Sequence, residues 1–189
     1  MSDEATDGIV VEARAMTEVG VPLGLPRHIQ YLTRAEDTPR VLDWMLALTR
    51  ANMRASYEQV WGWDEGAKDA ELRHEHSRFF VIPRQAFVHF RYEWDEDGVS
   101  PVVYVYEIQV EPAHRGRSLG HTLMRAVEDL GRALGFHKVK LTVFSANVGA
   151  RRFYRRLGYD MDVSSPDEST GYLILSRETD RAPDRANAS

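Results

Sequence analysis

The stretch Tyr104-Val105-Tyr106-Glu107-Ile108-Gln109-Val110 sets one carboxylate inside an alternating run of apolar and aromatic residues, and a little further on stand Arg115-Gly116-Arg117-Ser118-Leu119-Gly120. Alternation of this kind is the pattern of a strand. Glycines, a hydroxyl and two arginines ahead of a helix leave several backbone N–H groups without intrahelical partners, and together with the helix dipole they make a seat for a pyrophosphate. A carboxylate beside that seat suits proton abstraction from an amine. An α-ammonium group has a pKa of about 7.7–8.0, so modest basicity is enough to free it. Glu107 is the expected base. The turn alone leaves a second reading open, a tight strand-to-helix connection and nothing more. It is neither a GxxxxGK[ST] loop nor a three-glycine dinucleotide turn.

The elements around this stretch follow from periodicity and punctuation. Thr38-Pro39 reads as a helix cap with proline in the first turn, and Leu42, Met45, Leu46, Met53 and Tyr57 continue at helical spacing to about Val60. Trp61-Gly62-Trp63 interrupts it, and Asp64 starts a second, polar helix through about Glu75. Phe79–Ile82 and Ala86–Trp94 read as a hairpin, with the strand at 104–110 as its third antiparallel neighbour. Leu119, Leu123, Met124, Val127, Leu130 and Leu134 mark one helix face closed at Gly135, and 139–144 is a strand, so strand, crossover helix and strand make a parallel pair. Asn147 opens another helix, stopped at Gly158, and 159–162 and 171–176 are the last strands. The expected domain is residues 39–177, preceded by a partly ordered lead-in over 1–38, in which Ile29, Tyr31 and Leu32 dock a short element, and followed by a disordered tail over 178–189.

With 189 residues, 43% of them hydrophobic, the chain has enough apolar residues for one sizeable core. The absence of cysteine excludes a disulfide framework, a thiolate nucleophile and a sulfur-ligated zinc, and agrees with a reducing cytosolic or nuclear compartment. The acidic start and the lack of a long apolar run point away from a secretion signal or membrane partner, and a net charge of −5 disfavours nucleic acid. The charge is uneven. Glu93, Asp95, Glu96 and Asp97 cluster in one place, and Arg115, Arg117, Arg125, Arg132, Lys138 and Lys140 lie further on, so a basic substrate at one end and an anionic cofactor at the other are expected.

The order of features, hairpin strands, then EIQVEPAHRGRSLG, a helix, KLTVFSAN and GARRFYRRLGY, resembles the GNAT superfamily of acetyl-CoA-dependent N-acetyltransferases over residues 40 to 177. One departure stands out: Ser118 occupies the position of the first glycine in the superfamily's turn pattern. The resemblance implies an α/β (mixed α+β) fold, with a central, mostly antiparallel twisted sheet and one parallel strand pair at the acetyl-CoA site, flanked by helices. YEQVWGW, HFRYEW, YVYEIQV, SSP and LSR together resemble a branch that acetylates the α-amino group of histone 4 and histone 2A, whose tails begin Ser-Gly-Arg-Gly, without an auxiliary subunit and in nucleus and cytoplasm.

The resemblance places acetyl-CoA on the backbone of Gln109, Val110 and Glu111, on Arg115, Arg117, Ser118, Leu119, Gly120, His121 and Thr122 at the pyrophosphate, and on Thr142, Asn147 and Tyr154. It lays the substrate tail against Tyr57, Trp61, Glu93, Asp95, Tyr104, Tyr106, Ser164 and Tyr172. The chemistry agrees with these roles: a backbone N–H near Val110 stabilises the oxyanion, Tyr154 serves the leaving thiolate, and Tyr106 and Glu107 flank the thioester. No metal is required. His74-Glu75-His76 has neither the spacing of a shared helix face nor a third ligand.

Glu93 and Asp95 share a parity along their strand and so can meet the fork of a substrate arginine; the plainer reading is a solvated hairpin tip. Tyr106 and Glu107 are neighbours, which an unbroken pleat would send to opposite faces, so a β-bulge is expected at Glu107–Gln109. Two other readings stand beside this one: a GNAT enzyme for a lysine side chain or small amine, and an acyl-CoA-binding module without activity.

Overall fold

The structure is a computed structural model that describes residues 25–33 and 39–179. The Thr38 cap, most of the lead-in and the tail beyond Thr179 lie outside the described residues. Seven strands of the described residues form one sheet: β1 (Gln30–Leu32), β2 (Arg78–Ile82), β3 (Ala86–Trp94), β4 (Pro101–Val110), β5 (Lys138–Phe144), β6 (Asp160–Met161) and β7 (Tyr172–Glu178). Their spatial order is β1-β2-β3-β4-β5-β7-β6, with β4 central. Neighbours are antiparallel except β4 and β5, whose parallel pairing comes with the crossover helix between them. The mixed α/β fold with one parallel pair is thus as the residue pattern implies, and Ile29, Tyr31 and Leu32 do belong to a short element, β1 with its approach. β7 runs to Glu178, one residue past the expected domain boundary, and the Thr179 side chain is buried against Phe136.

Among the described residues, four α-helices cover the two faces: α1 (Pro39–Val60), α2 (Glu65–Leu72), α3 (Leu119–Ala133) and α4 (Val148–Arg156). Alternation along the strands splits the core accordingly. Phe80, Val88, Phe90, Val103, Val105, Leu141 and Val143 pack under α3 and α4, with Leu123, Val127, Leu130 and Tyr154. Phe79, Val81 and Phe87 point the other way, onto Leu42, Met45 and Leu48 of α1 and Leu72 of α2. Both faces being apolar, the central strands are buried on both sides. Asp64 caps α2 by accepting from the Ala67 N–H at 2.9 Å, but the helix stops at Leu72 rather than near Glu75: the Arg73 N–H still closes a helical bond to Asp69, whereas the next one, from His74, reaches only to Glu71 at 3.4 Å.

The bulge exists, one step earlier than expected. His89 faces Glu107 and Phe90 faces Val105, so Tyr106 is the extra residue and the bulge falls at Tyr106–Glu107 instead of Glu107–Gln109. At the same place β4 leaves β5: the last parallel pair is Val105 with Leu141, although β4 continues to Val110 and β5 to Phe144. One irregularity therefore both re-aims two side chains and opens the sheet into a wedge.

Candidate active site

The wedge is a cleft of about 1050 Å³, large for a small-molecule site, lined by β4 from Val105 to Val110, by Thr142, Val143 and Phe144 of β5, and by the starts of α3 and α4. One end is the turn before α3. Gly116 has φ 76° and Ser118 φ 59°, a left-handed turn whose cap side chain makes no hydrogen bond to the helix. The first helical N–H with a backbone partner in this turn is that of Thr122, which donates to the Ser118 carbonyl at 3.0 Å. Leu119, Gly120 and His121, whose N–H groups precede it and have no intrahelical partner, line the cleft. Gly120 also permits a close approach, since a Cβ there would stand 3.3 Å from Phe153. These features fit an anionic, phosphate-bearing ligand. Opposite, Asn147 caps α4 by accepting from Ala150 N–H at 3.0 Å, presenting a second helix start to the cleft.

At the waist sits Glu107. The bulge turns it to the α1 and α2 side, where its carboxylate accepts from Tyr57 Oη at 2.9 Å, from Lys68 Nζ at 3.0 Å and from Gln109 Nε2 at 2.8 Å. Lys68 also donates to Tyr57 Oη at 2.7 Å and to Glu71 at 2.8 Å. Burial works against the Lys68 charge, yet Glu107, Tyr57 and Glu71 outweigh it and hold the ammonium above its ordinary range. Burial, then the charge on Glu107, pushes the Tyr57 and Tyr154 phenols up, so both stay protonated.

Tyr106 lies on the same face as Glu107. Its ring covers His89 at 5.1 Å and carries the Arg91 guanidinium at 4.4 Å, and its hydroxyl donates to Glu93 at 3.1 Å. Burial and Glu93 push its phenol up to about 12. His89 is held neutral by burial and by Arg91, with Nε2 against Ser77 Oγ at 2.9 Å. The mouth is aromatic: Tyr57, Trp61 and Phe144 meet edge to face or tilted, and Trp61 touches Tyr172 at 5.1 Å while remaining 51% exposed. Trp61 lines the cleft and Trp63 packs behind Tyr57.

The acidic tip and the lysines further along are one network, not two poles. Asp95 accepts from Lys140 at 2.7 Å and pairs with Lys138; Lys140 also meets Glu96 at 2.6 Å, and Lys138 meets Asp162 at 3.1 Å. Burial opposes the charge on Asp95, but the two lysines outweigh it and hold its carboxyl below the usual range. Asp95, Glu96 and Asp162 approach one another closely, and with two ammonium groups among them the cluster is an ion-pair network.

The chain matches the acetyltransferase (GNAT) family over residues 40–159. It belongs to that family. A stretch of 73 residues is 42% identical to N-alpha-acetyltransferase 40 of Saccharomyces cerevisiae, covering 35% of this chain and 26% of that protein. Streptothricin acetyltransferase of Streptomyces lavendulae is 31% identical over 106 residues, 52% of either chain. The chain thus spans about a quarter and about half of the length of these relatives. The structure of Arabidopsis thaliana Naa50 in complex with the bisubstrate analogue CoA-Ac-MVNAL shares the fold, with a TM-score of 0.55 and 17% identity over 79% of this chain and 98% of that one.

In this GNAT domain the cleft gathers Tyr57, Trp61, Tyr106, Glu107, Gln109, Val110, Arg115, Ser118, Leu119, Gly120, His121, Thr142, Asn147 and Tyr154. The other residues singled out by sequence stand apart from its lining. The Glu111 N–H donates to the Gln85 carbonyl at 2.8 Å and its side chain takes Trp44 Nε1 at 2.7 Å, which turns it away from the cleft. Arg117 is exposed, and Thr122 Oγ1 bonds back to Ser118. Tyr104 bonds Thr142 through their hydroxyls, and Ser164 donates to Asp162 at 2.6 Å. Glu93 reaches the site through Tyr106, and Tyr172 through Trp61.

Sequence reasoning missed Lys68 and Asn52. Asn52 ties α1 to Gln109 at 3.0 Å and accepts from Arg115 at 2.8 Å, fixing the end of β4 against the turn. A signal for Lys68 was available: it stands four residues before Leu72, the one large apolar residue of its helix, so both share the buried face.

Proposed function

We propose that this chain transfers the acetyl group of acetyl-CoA directly to the free α-amino group of a protein N-terminus, with the Ser-Gly-Arg-Gly tails of histone 4 and histone 2A as substrates, in nucleus and cytoplasm and without an auxiliary subunit. The observation that carries this reading is the position of a single buried carboxylate, Glu107, between an uncapped helix start and an aromatic mouth. The coenzyme supplies an activated thioester when bound. The protein's part is to hold its phosphates on the N–H groups of residues 119–121, to take a proton from the ammonium through the Tyr57 hydroxyl toward Glu107, and to offer a hydrogen bond from Tyr154 to the leaving sulfur. A phenol with a raised pKa donates a hydrogen bond without surrendering its proton, so Tyr154 stabilises a thiolate rather than titrating it.

The N-terminal reading is supported by the yeast N-alpha-acetyltransferase 40 stretch and by the Glu93–Tyr106 pair at the mouth. Glu93, with Asp95 already engaged by lysines, is the carboxylate left to meet a substrate cation. The likeness to streptothricin acetyltransferase favours a second reading, acetylation of a small-molecule amine. Turnover of acetyl-CoA on peptides beginning Ser-Gly-Arg-Gly, Ser-Gly-Ala-Gly and Met-Glu, on an N-blocked Ser-Gly-Arg-Gly peptide and on streptothricin separates them. Activity on the free histone-like peptide and none on the blocked one is expected; equal activity on the blocked peptide, or activity on streptothricin alone, would sink the proposal. Glu107→Gln is expected to lower turnover by about 10²–10⁴-fold with coenzyme affinity retained.

A further inference from the structure

Lys68 stands out among charged residues of the described chain because its ammonium is buried at the reaction waist, with side-chain exposures of 7% for itself and 4% for Glu107. A lysine is placed there only with partners, because an unpaired buried ammonium is strongly unfavourable. Its three contacts fix three groups at once: Tyr57 Oη at 2.7 Å, Glu71 at 2.8 Å and Glu107 at 3.0 Å, with the Tyr57 ring centroid 4.7 Å away. α2 exists in this position because Asp64 caps it and Leu72 anchors it on Phe79, Val81 and Phe87.

We propose that Lys68 is a positioning residue of the transfer reaction: it holds the Tyr57 hydroxyl and the Glu107 carboxylate in a single three-way contact and pairs that carboxylate with a positive charge in a dry site. This rests on the reading of Glu107 as base. A cation next to a base lowers its proton affinity, which looks counterproductive until the alternative is considered. A glutamate buried without a cation can have a pKa near ~8–9 and would stand protonated at neutral pH, unable to accept anything. An amine with a pKa of about 7.7–8.0 asks little of its base, so ionisation is worth more here than basicity. Glu71 shares Lys68, so the cation is not committed to Glu107 alone.

The charged and titratable groups around Glu107 are Tyr57 from α1, Lys68 and Glu71 from α2, His89 and Arg91 from β3, and Tyr154 from α4. With His89 and the tyrosines neutral, two cations balance two carboxylates. Removing Lys68 leaves Glu107 with only neutral donors, Tyr57 and Gln109.

The test compares wild type, Lys68→Met and Lys68→Arg. In Lys68→Met the acidic limb of the kcat/KM–pH profile is expected to move up by about 1–3 units, with coenzyme affinity by calorimetry unchanged. Lys68→Arg, which keeps the charge in a larger planar head, is expected to leave the limb in place and lower kcat by displacing the Tyr57 hydroxyl. An unmoved limb in Lys68→Met, or a wild-type kcat in Lys68→Arg, overturns the proposal. A readout without substrate separates this from the activity itself: infrared difference spectra at neutral pH should show a protonated carboxyl in Lys68→Met that vanishes in Lys68→Met/Glu107→Gln. That band present in an inactive protein would uphold Lys68 and refute the acetyl-transfer reading; its absence would refute the role of Lys68.

Discussion

At Ser118 the backbone takes φ 59°, a conformation that glycine adopts freely and that costs a residue with a Cβ about 1–2 kcal/mol. The departure of this turn from a glycine-bearing pattern is therefore a matter of strain, since the turn still leads into the helix and its residues still line the cleft. Ser118→Gly relieves that strain but enlarges the freedom of the unfolded chain by about 0.5–1 kcal/mol, so a net gain of about 0–1.5 kcal/mol is expected. Denaturant midpoints of the two proteins measure it; a lower midpoint for Ser118→Gly would mean that the hydroxyl holds the turn. Coenzyme affinity should not fall.

At the scale of elements, the hairpin tip and β5 are joined by the Asp95–Lys140 pair, and Lys140 is 2% exposed. Lys140→Met leaves Asp95 with Lys138, removes a buried cation from beside Asp162 and should cost a few kcal/mol of stability, within the ~3–5 kcal/mol of a broken buried pair. It also frees the Asp95 oxygen that Lys140 holds. The ratio of turnover on Ser-Gly-Arg-Gly to Ser-Gly-Ala-Gly peptides should rise in this variant, and a constant ratio would remove Asp95 from substrate selection.

Much of this was legible in sequence. The period-2 run through Tyr104–Val110, the Asp64 and Asn147 caps and the glycine stops at Gly135 and Gly158 are local signals, and the elements follow them. The bulge was foreseeable because Tyr106 and Glu107 need one face; its exact residue was not, since that depends on the register of Tyr106 with His89 and Phe90, seventeen and sixteen residues away. Which charges meet is a tertiary fact too. Lys138 and Lys140 looked like part of a basic end, and only the pairing of β4 with β5 shows that they neutralise the acidic tip.

For the molecule as a whole, Asp95 and Asp162 both have carboxyls held below their ordinary range, in each case against burial, by the lysines for Asp95 and by Ser164, Ser176 and Lys138 for Asp162. The unfolded chain takes up these protons first, near pH 4, so the folded state loses their contribution progressively below that pH. Unfolding midpoints in denaturant should decline gently below about pH 6.5, where the unfolded chain protonates His89 and the folded state keeps it neutral, and drop more steeply through pH 4 and 3. No further drop between pH 4 and 3 would mean that the network adds nothing.

The wedge has one more consequence, in the timing of motions rather than in chemistry. Only four register pairs, Val102–Lys138 to Val105–Leu141, stitch the β1–β4 part of the sheet to the β5–β7–β6 part, and past them the two strands diverge. The seam should therefore be where the sheet breathes, with amide protons of residues 106–110 and 142–144 exchanging with deuterium sooner than those of 102–105. A molecule lodged in the cleft would act as a splint across it. Coenzyme A at a hundred times its dissociation constant should slow exchange on both sides of the seam and raise the unfolding free energy by about 2.7 kcal/mol.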